Sequence, residues 1–235
     1  MRRFKKILAV YGENIGADDV LSRTETLVRA NNAEATLLEV IPLNQSATVN
    51  HLERTKRLER LARTLHDGQV ASKVVIGTPY VEVLEAVHRH GYDLVIIGAD
   101  SGAAIRDRFF GNTAVELMRK CPCPVWVLKP AKAARAARIL ACVNPAGGTV
   151  AKNSMDRKIM ELSTSLAKMK GADLHIVHAW DVTGKDRDTI HSELHENDYK
   201  RILAEHEDVH RNRVLSLIND AAPPDTDFTL HLPRS

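Results

Sequence analysis

A loop rich in small residues, GADSGAAIRDRFFGNT, contains residue types suited to holding phosphate. It follows the apolar run DLVIIG and precedes a helix that the pattern predicts from about Asn112 to Lys120. Glycine lets backbone N–H groups approach phosphate oxygens, and a helix N-terminus adds donors at the positive end of its dipole. The glycines Gly98, Gly102 and Gly111 are equally suited to a tight connection between a strand and a helix. The loop by itself therefore leaves both interpretations open.

The stretch HEDVH, from His206 to His210, is a literal H-E-x-x-H motif, which on a helix places two imidazoles on one face for zinc. His191 and His195 form another pair with the same spacing. The surrounding AEHEDVHRNR is charged nearly all round, whereas the helix of a zinc protease is mostly buried. We therefore predict a solvated helix face and no catalytic metal, with adventitious metal binding at the four histidines as the alternative.

The chain has three cysteines, too few for a disulfide framework, which favours a reducing compartment. Cys121 and Cys123 are too close together, and lack the second pair, for a zinc site. Cys142 lies on a predicted buried strand and is expected to pack as a small hydrophobic residue. No serine lies in a G-x-S-x-G turn, and we find no catalytic triad, so we predict that the protein is not an enzyme.

The composition is that of an ordinary soluble globular protein, with 44% hydrophobic and 27% charged residues. A net charge of +3 and an aromatic content of 4% disfavour nucleic acid as a partner. No apolar run approaches the roughly 20 residues that span a bilayer, and no signal peptide is evident. We therefore expect a cytoplasmic protein without a membrane partner.

Short apolar runs alternate with helical stretches from Lys5 to Pro130, which is typical of βαβ units and a parallel sheet. The runs KKILAVYG, ATLLEVIP, ASKVVIG, DLVIIG and CPVWVLKP predict five strands with helices between them. The charged segment from Asn50 to His66 predicts an amphipathic crossover helix. Pro79 and Gly91 mark the start and the end of another helix.

The pattern restarts at Ala137, where ARILACVNPAG repeats KKILAVYGENIG and GADLHIVHAWDV repeats NAEATLLEVIPL. We therefore predict a tandem duplication with one domain over residues 1–132 and a second over 137–235. The second copy continues with a polar helix from about Thr189 to Asn219, a turn and the strand FTLHL. It contains no counterpart of the segment that follows Pro79 in the first copy, so we expect either a truncated second repeat or a partner chain that covers the gap.

These residues resemble the universal stress protein family, and the two-copy layout resembles its tandem members. VVIGTPYVEVLEA matches the family's G-x-P turn at Gly77 and Pro79, and CPCPVWVLKP matches its final turn and strand. The resemblance implies an open parallel five-stranded α/β sheet with helices on both faces, of the adenine nucleotide alpha hydrolase type. It also implies that the fold is repeated in tandem and that the two copies pack as a pseudo-dimer, with a homodimer as a further expectation.

The resemblance also implies a site for ATP with magnesium in the first copy. Serine and asparagine stand where the family usually has glycine and serine or threonine, at Ser101 and Asn112. The acidic residue that follows the first strand in nucleotide-binding members is replaced by Gly12 in the first copy and by Asn144 in the second. The resemblance assigns phosphate contacts to Gly98, Ser101, Gly102, Gly111, Asn112 and Thr113, places Val40 and Ile41 beside the base, and makes Gly12 the altered position.

The resemblance thus implies a cytoplasmic stress-response protein that acts as a regulatory or protective binding module. Its nucleotide site is either weakened or vestigial. The alternative is a scaffold or oligomerisation protein that has lost nucleotide binding, and an H-E-x-x-H metal-binding protein is the remote alternative.

Overall fold

The computed structural model describes residues 3–12, 17–65, 68–99, 112–129, 138–145, 150–182 and 196–234. The chain divides into two compact units, Met1–Lys132 and Ala133–Ser235. Helices and strands alternate along both units, as the βαβ pattern predicts. No helix within the described ranges is long and apolar enough to cross a membrane.

The first unit is a parallel sheet of five strands with helices between them. The strands are β1 (Lys6–Tyr11), β2 (Glu34–Ile41), β3 (Val70–Ile76), β4 (Leu94–Gly98) and β5 (Val125–Leu128). The helices are α1 (Ala17–Asn31), α2 (His51–Leu65), α3 (Pro79–His90) and α4 (Asn112–Lys120). The strand order is β3-β2-β1-β4-β5, so the predicted open five-stranded sheet is confirmed.

Both faces of this sheet are covered, because successive side chains of a strand point to opposite faces. On one face, Ile7 and Leu37 pack in a core with buried residues of α1 and α2. On the other face, Leu8 and Leu38 pack in a second core with residues of α3 and α4. Burial on both sides explains why the central strands read as continuous apolar runs.

The local signals at α3 are also confirmed. Thr78 precedes the helix, Pro79 is its first residue, and Gly91 follows it in the left-handed conformation with φ of 65°. The N–H of Gly91 bonds the carbonyl oxygen of Val87 at 2.9 Å. Glycine adopts this backbone conformation without steric cost, which is why it ends so many helices.

The second unit has a sheet of three parallel strands within the described residues. The strands are β6 (Arg138–Cys142), β7 (Asp173–Val177) and β8 (Thr229–His231), paired in that order. The helices are α5 (Val150–Lys170) and α6 (Glu196–Ala221), and the start predicted for α6 near Thr189 lies outside the described residues. A partial sheet of three strands agrees with the incomplete second repeat that the sequence predicts.

The core of this unit lies on one face of its sheet. Ala141, Leu174 and Ile176 pack there against α5 and α6, together with the buried Met160 and Val214. The residues that alternate with them point away from this core.

Cys142 is among those residues and is exposed, so the prediction of a buried cysteine at this position is wrong. The sequence of β6 resembles that of the buried β1, but the two strands differ in their covering elements.

Candidate functional site

The carboxyl ends of β2, β1 and β4 meet at one edge of the first sheet. Tyr11 pairs with Glu39 and Val10 with Ile97, so the residues that follow β1 lie between the ends of β2 and β4. Four of the predicted site residues, Gly12, Val40, Ile41 and Gly98, therefore lie at this one edge.

Their exposure differs. Gly98 is buried and Ile41 is only 4% exposed, while Gly12 and Val40 are half-buried. Val40 also packs against the α3 and α4 core.

The expected phosphate residues are placed in part. Asn112 is the exposed first residue of α4, and Thr113 follows it half-buried in the first turn. No acidic residue lies in that turn to neutralise the positive end of the helix dipole. Ser101, Gly102 and Gly111 lie outside the described residues.

A buried ion pair, which the sequence analysis missed, lies close to this edge. Glu39 is 4% exposed on β2, and its Oε1 accepts a hydrogen bond of 2.6 Å from a guanidinium nitrogen of Arg54 on α2. Burial raises the pKa of the Glu39 carboxyl, and the charge and hydrogen bond of Arg54 oppose that rise only in part. The guanidinium of Arg57 lies 5.6 Å from the ring centre of the neighbouring Tyr11. A single carboxylate within the apolar run ATLLEVI was the signal for this pair.

The second unit has a cavity of about 600 Å³ at the corresponding edge, beyond the ends of β6 and β7. Its lining combines imidazoles and an indole with carboxylates and a guanidinium, so it can both stack on and hydrogen-bond a small polar ligand. The lining includes His178, Trp180, His206 and His210.

A hydrogen-bonded chain of histidines forms one wall of this cavity. His178 is 2% exposed, its Nδ1 lies 3.2 Å from the carbonyl oxygen of Val143, and its Nε2 lies 2.8 Å from Nδ1 of His210. A carbonyl oxygen can only accept, so Nδ1 of His178 carries a proton and donates it. In the neutral ring Nε2 then accepts, and Nδ1 of His210 is the donor. The ring of His210 also stacks on Trp180, with centroids 5.5 Å apart.

The histidines of the H-E-x-x-H motif therefore do not lie on a simply solvated helix face, and that prediction is wrong for His210. Both His206 and His210 are half-buried and line the cavity. Glu207 instead accepts a hydrogen bond of 2.7 Å from Arg211 on its own helix. Its carboxylate is therefore engaged in an exposed ion pair, and the arrangement lacks the general base of a zinc protease.

No group of three or more histidine, cysteine, aspartate or glutamate side chains is arranged to hold a metal ion in the parts of the chain that the structure describes. His191 and His195, the other members of the predicted cluster, lie outside those parts. The signal for the role of His210 was weak, because its partner His178 is 32 residues away in sequence.

The sequence profile of the universal stress protein family matches residues 3–129 of the chain. The chain is 29% identical over 106 residues to universal stress protein E of Escherichia coli strain K12, an alignment that covers 45% of this chain and 34% of that protein. It is 24% identical over 200 residues to the universal stress protein E homolog of Haemophilus influenzae, covering 76% of this chain and 65% of the homolog. The alignments thus span between about a third and two thirds of the curated relatives.

Solved structures show the same fold. A functionally unknown protein from Pseudomonas aeruginosa PAO1 aligns with all of this chain and 75% of its own, with a TM-score of 0.70 and 17% identity. A universal stress protein from Archaeoglobus fulgidus aligns with 98% of this chain and 78% of its own, with a TM-score of 0.57 and 16% identity. At these identities the likeness concerns the fold alone. The profile match covers more than half of the chain, and the protein belongs to the universal stress protein family.

Proposed function

We propose that the first unit is a non-enzymatic regulatory module of the stress response that binds an adenine nucleotide, with magnesium, at a weakened site. The observation that carries this proposal is the strand order, which reverses between β1 and β4. Ligands of open α/β sheets bind outside the carboxyl ends of the strands at such a switch point. Gly12 follows β1 and Gly98 ends β4, so both lie at that point.

The first turn of α4 supports the phosphate part of the proposal. The N–H groups of a first helical turn have no partner within the helix, and the positive end of the dipole favours an anion. Asn112 adds a side-chain amide and Thr113 a hydroxyl, with no carboxylate nearby in the turn. A phosphate group would complement these donors.

The proposed weakness comes from the end of β1. Nucleotide-binding members of the family carry an acid at the position of Gly12, and glycine offers no side chain to accept hydrogen bonds from the adenosine part. Gly12 is half-buried at the end of β1, the position where an introduced aspartate would restore the missing acid.

The experiment is isothermal titration of the full chain with ATP and magnesium, for wild type, Gly12→Asp and the control Gly12→Asn. A hydrogen bond to a charged group contributes about 1.5 kcal/mol or more, so Gly12→Asp is expected to bind about tenfold more tightly than wild type. The asparagine control has almost the same size without the charge and should gain less.

The two alternatives give different outcomes. If wild type gives no heat and Gly12→Asp binds, the site is vestigial through the loss of its acid. If none of the three proteins binds, the nucleotide proposal is wrong and the scaffold interpretation takes its place. Release of phosphate from ATP by the wild-type chain, above that of a heat-denatured sample, would contradict the non-enzymatic part.

A further inference from the structure

Two thiols lie side by side in the turn between α4 and β5. The Sγ atoms of Cys121 and Cys123 are 3.5 Å apart, on either side of Pro122. The N–H of Cys121 bonds the carbonyl oxygen of Leu117 at 2.9 Å, and the N–H of Val95 bonds that of Pro124 at 3.0 Å. The proline ring fixes one backbone angle of the turn, and both of its ends are anchored, so the thiols are held near each other.

The pair is electrostatically asymmetric. A hydrogen bond from the Cys123 thiol lowers the pKa of Cys121 to about 7, and the backbone N–H of Cys123 contributes in the same direction. The same thiol hydrogen bond, followed by burial, raises the pKa of Cys123, and the carboxylate of Asp93 adds to the rise. Cys121 is therefore the thiol of the pair that loses its proton more readily, and Cys123 is the one that retains it.

Such a pair combines a nucleophile with a second thiol that can resolve its oxidised form. The thiolate is the reactive form of cysteine, and oxidant-sensitive cysteines are accessible and lie beside a second thiol. Both residues are half-buried, so a small oxidant can reach them. Cys142, the remaining cysteine, is exposed on β6 and serves as an internal comparison.

We propose that Cys121 and Cys123 form a reactive dithiol that a hydroperoxide converts to a disulfide and a low-molecular-weight thiol restores. The Cys121 thiolate attacks the terminal peroxide oxygen, the O–O bond breaks, and the departing oxyanion takes a proton to become water or an alcohol. Cys121 is then a sulfenic acid. The Cys123 sulfur attacks the Cys121 sulfur, the S–S bond forms, and water leaves with the sulfenic oxygen and the Cys123 proton.

The electrons balance in both directions. Two thiols give up two electrons, which reduce one hydroperoxide. In the reverse direction, two glutathione molecules reduce the disulfide by thiol exchange and become glutathione disulfide. No metal or further cofactor is needed.

The test uses the full chain, reduced and then exposed to hydrogen peroxide before its remaining thiols are alkylated in denaturant. Trypsin cleaves after Lys120, so Cys121 and Cys123 fall in one peptide and Cys142 in another. We expect the first peptide to lose two hydrogens and escape alkylation in wild type and in the control Cys142→Ser. Treatment with glutathione should restore its alkylation.

Single variants separate the two roles. In Cys123→Ser the sulfenic acid cannot be resolved, so dimedone should label Cys121; in Cys121→Ser dimedone should leave Cys123 unlabelled. In wild type the alkylation rate should reach half its maximum near pH 7, and in Cys123→Ala only at a higher pH. The combined emission of Trp126 and Trp180 verifies that each variant is folded.

Three outcomes would overturn the proposal. The first is that the peptide of Cys142 is modified before that of the pair. The second is a disulfide that links two chains. The third is that Cys121 and Cys123 stay fully alkylated under peroxide that oxidises free cysteine.

Discussion

The two repeats contain nearly the same first strand, and the surroundings of that strand differ. In the alignment of the repeats Leu8 of β1 corresponds to Leu140 of β6, yet Leu8 is 1% exposed and Leu140 is 62% exposed. β1 pairs with both β2 and β4 and is covered by helices on both faces. Within the described residues β6 pairs with β7, and its core lies on one face. Burial of a strand is thus set by its neighbours, and its own sequence does not guarantee it.

The carboxyl edges of the two sheets show a second difference. In the alignment Glu39 of β2 corresponds to His178, and each is a buried polar side chain paired with a helix that follows its strand. The first repeat uses a charged pair, Glu39 with Arg54, and the second a pair of imidazoles, His178 with His210. The same topological position therefore holds a carboxylate in one unit and an imidazole in the other. The pKa of Glu39 is raised and that of His210, the partner of His178, is lowered, so acid affects the stability of the two units in opposite directions.

The largest effect is expected at the aligned leucines. Leu8→Ala removes a fully buried side chain and should lower the free energy of unfolding of the first unit by about 4 kcal/mol. Leu140→Ala should change that of the second unit by less than about 0.5 kcal/mol, because the side chain is exposed. Urea unfolding measures both, with Trp126 as the only tryptophan for the first unit and Trp180 for the second. A large loss in Leu140→Ala would show that this face is covered in solution.

A smaller effect is expected at the buried polar pairs. Arg54→Met leaves the Glu39 carboxylate buried without the guanidinium of Arg54 and should lower the free energy of unfolding of the first unit by about 3 kcal/mol. This value is at the low end for buried ion pairs, because the Arg54 side chain is 26% exposed. His210→Phe breaks a neutral hydrogen bond and should cost the second unit about 1 kcal/mol.

The double variant Glu39→Gln/Arg54→Met is the control, and it should recover much of the loss. Its failure to do so would mean that Arg54 acts mainly through other contacts. The same urea transitions report all of these variants.

The smallest effect is the dependence of stability on pH. Burial, and then His178, Arg213 and His206, lower the pKa of His210, so the unfolded chain binds a proton more readily than the folded one. The neutral His210 therefore contributes to the stability of the second unit, and this contribution is fully present above about pH 6.5. It is lost as the pH falls through the lowered pKa of His210 in the folded chain.

The pKa of Glu39 is instead raised, so its contribution to the first unit is present below the ordinary value of 4.5 and is lost as pH rises through the folded value. For the second unit, the lowered pKa of His210 predicts that the free energy of unfolding, followed by Trp180, falls between pH 7 and pH 5 in wild type. The same free energy should fall less in His210→Gln. An equal loss in both proteins would contradict the role of His210.

Local signals were sufficient for most of the fold. The run of alternating strands and helices predicted the five strands of the first sheet and the three strands of the second, and α4 has the predicted bounds. Pro79 and Gly91 located α3, because each is favoured by the backbone geometry of one helix end. These features depend on residues close together in sequence.

Only part of the candidate sites could be anticipated in this way. The family resemblance directed attention to Gly12, Val40 and Gly98, which the structure brings to one edge. The partners of Glu39 and His210 could not be inferred, because neither a carboxylate in an apolar strand nor a histidine on a charged helix specifies which distant side chain it meets. The reactive dithiol was also missed, since spacing alone does not show that two thiols share a hydrogen bond.

The sequence by itself determined the order of the elements, because periodicity, capping residues and turn residues act over a few positions. Its internal similarity predicted a repeat, and its motifs resembled those of the family. The tertiary structure decided which apolar strand is buried, which is why Cys142 is exposed while Val10 at the aligned position is 7% exposed. It also decided which polar side chains are paired. Burial and pairing depend on elements far apart in the chain, and two similar strands acquire different properties when those elements differ.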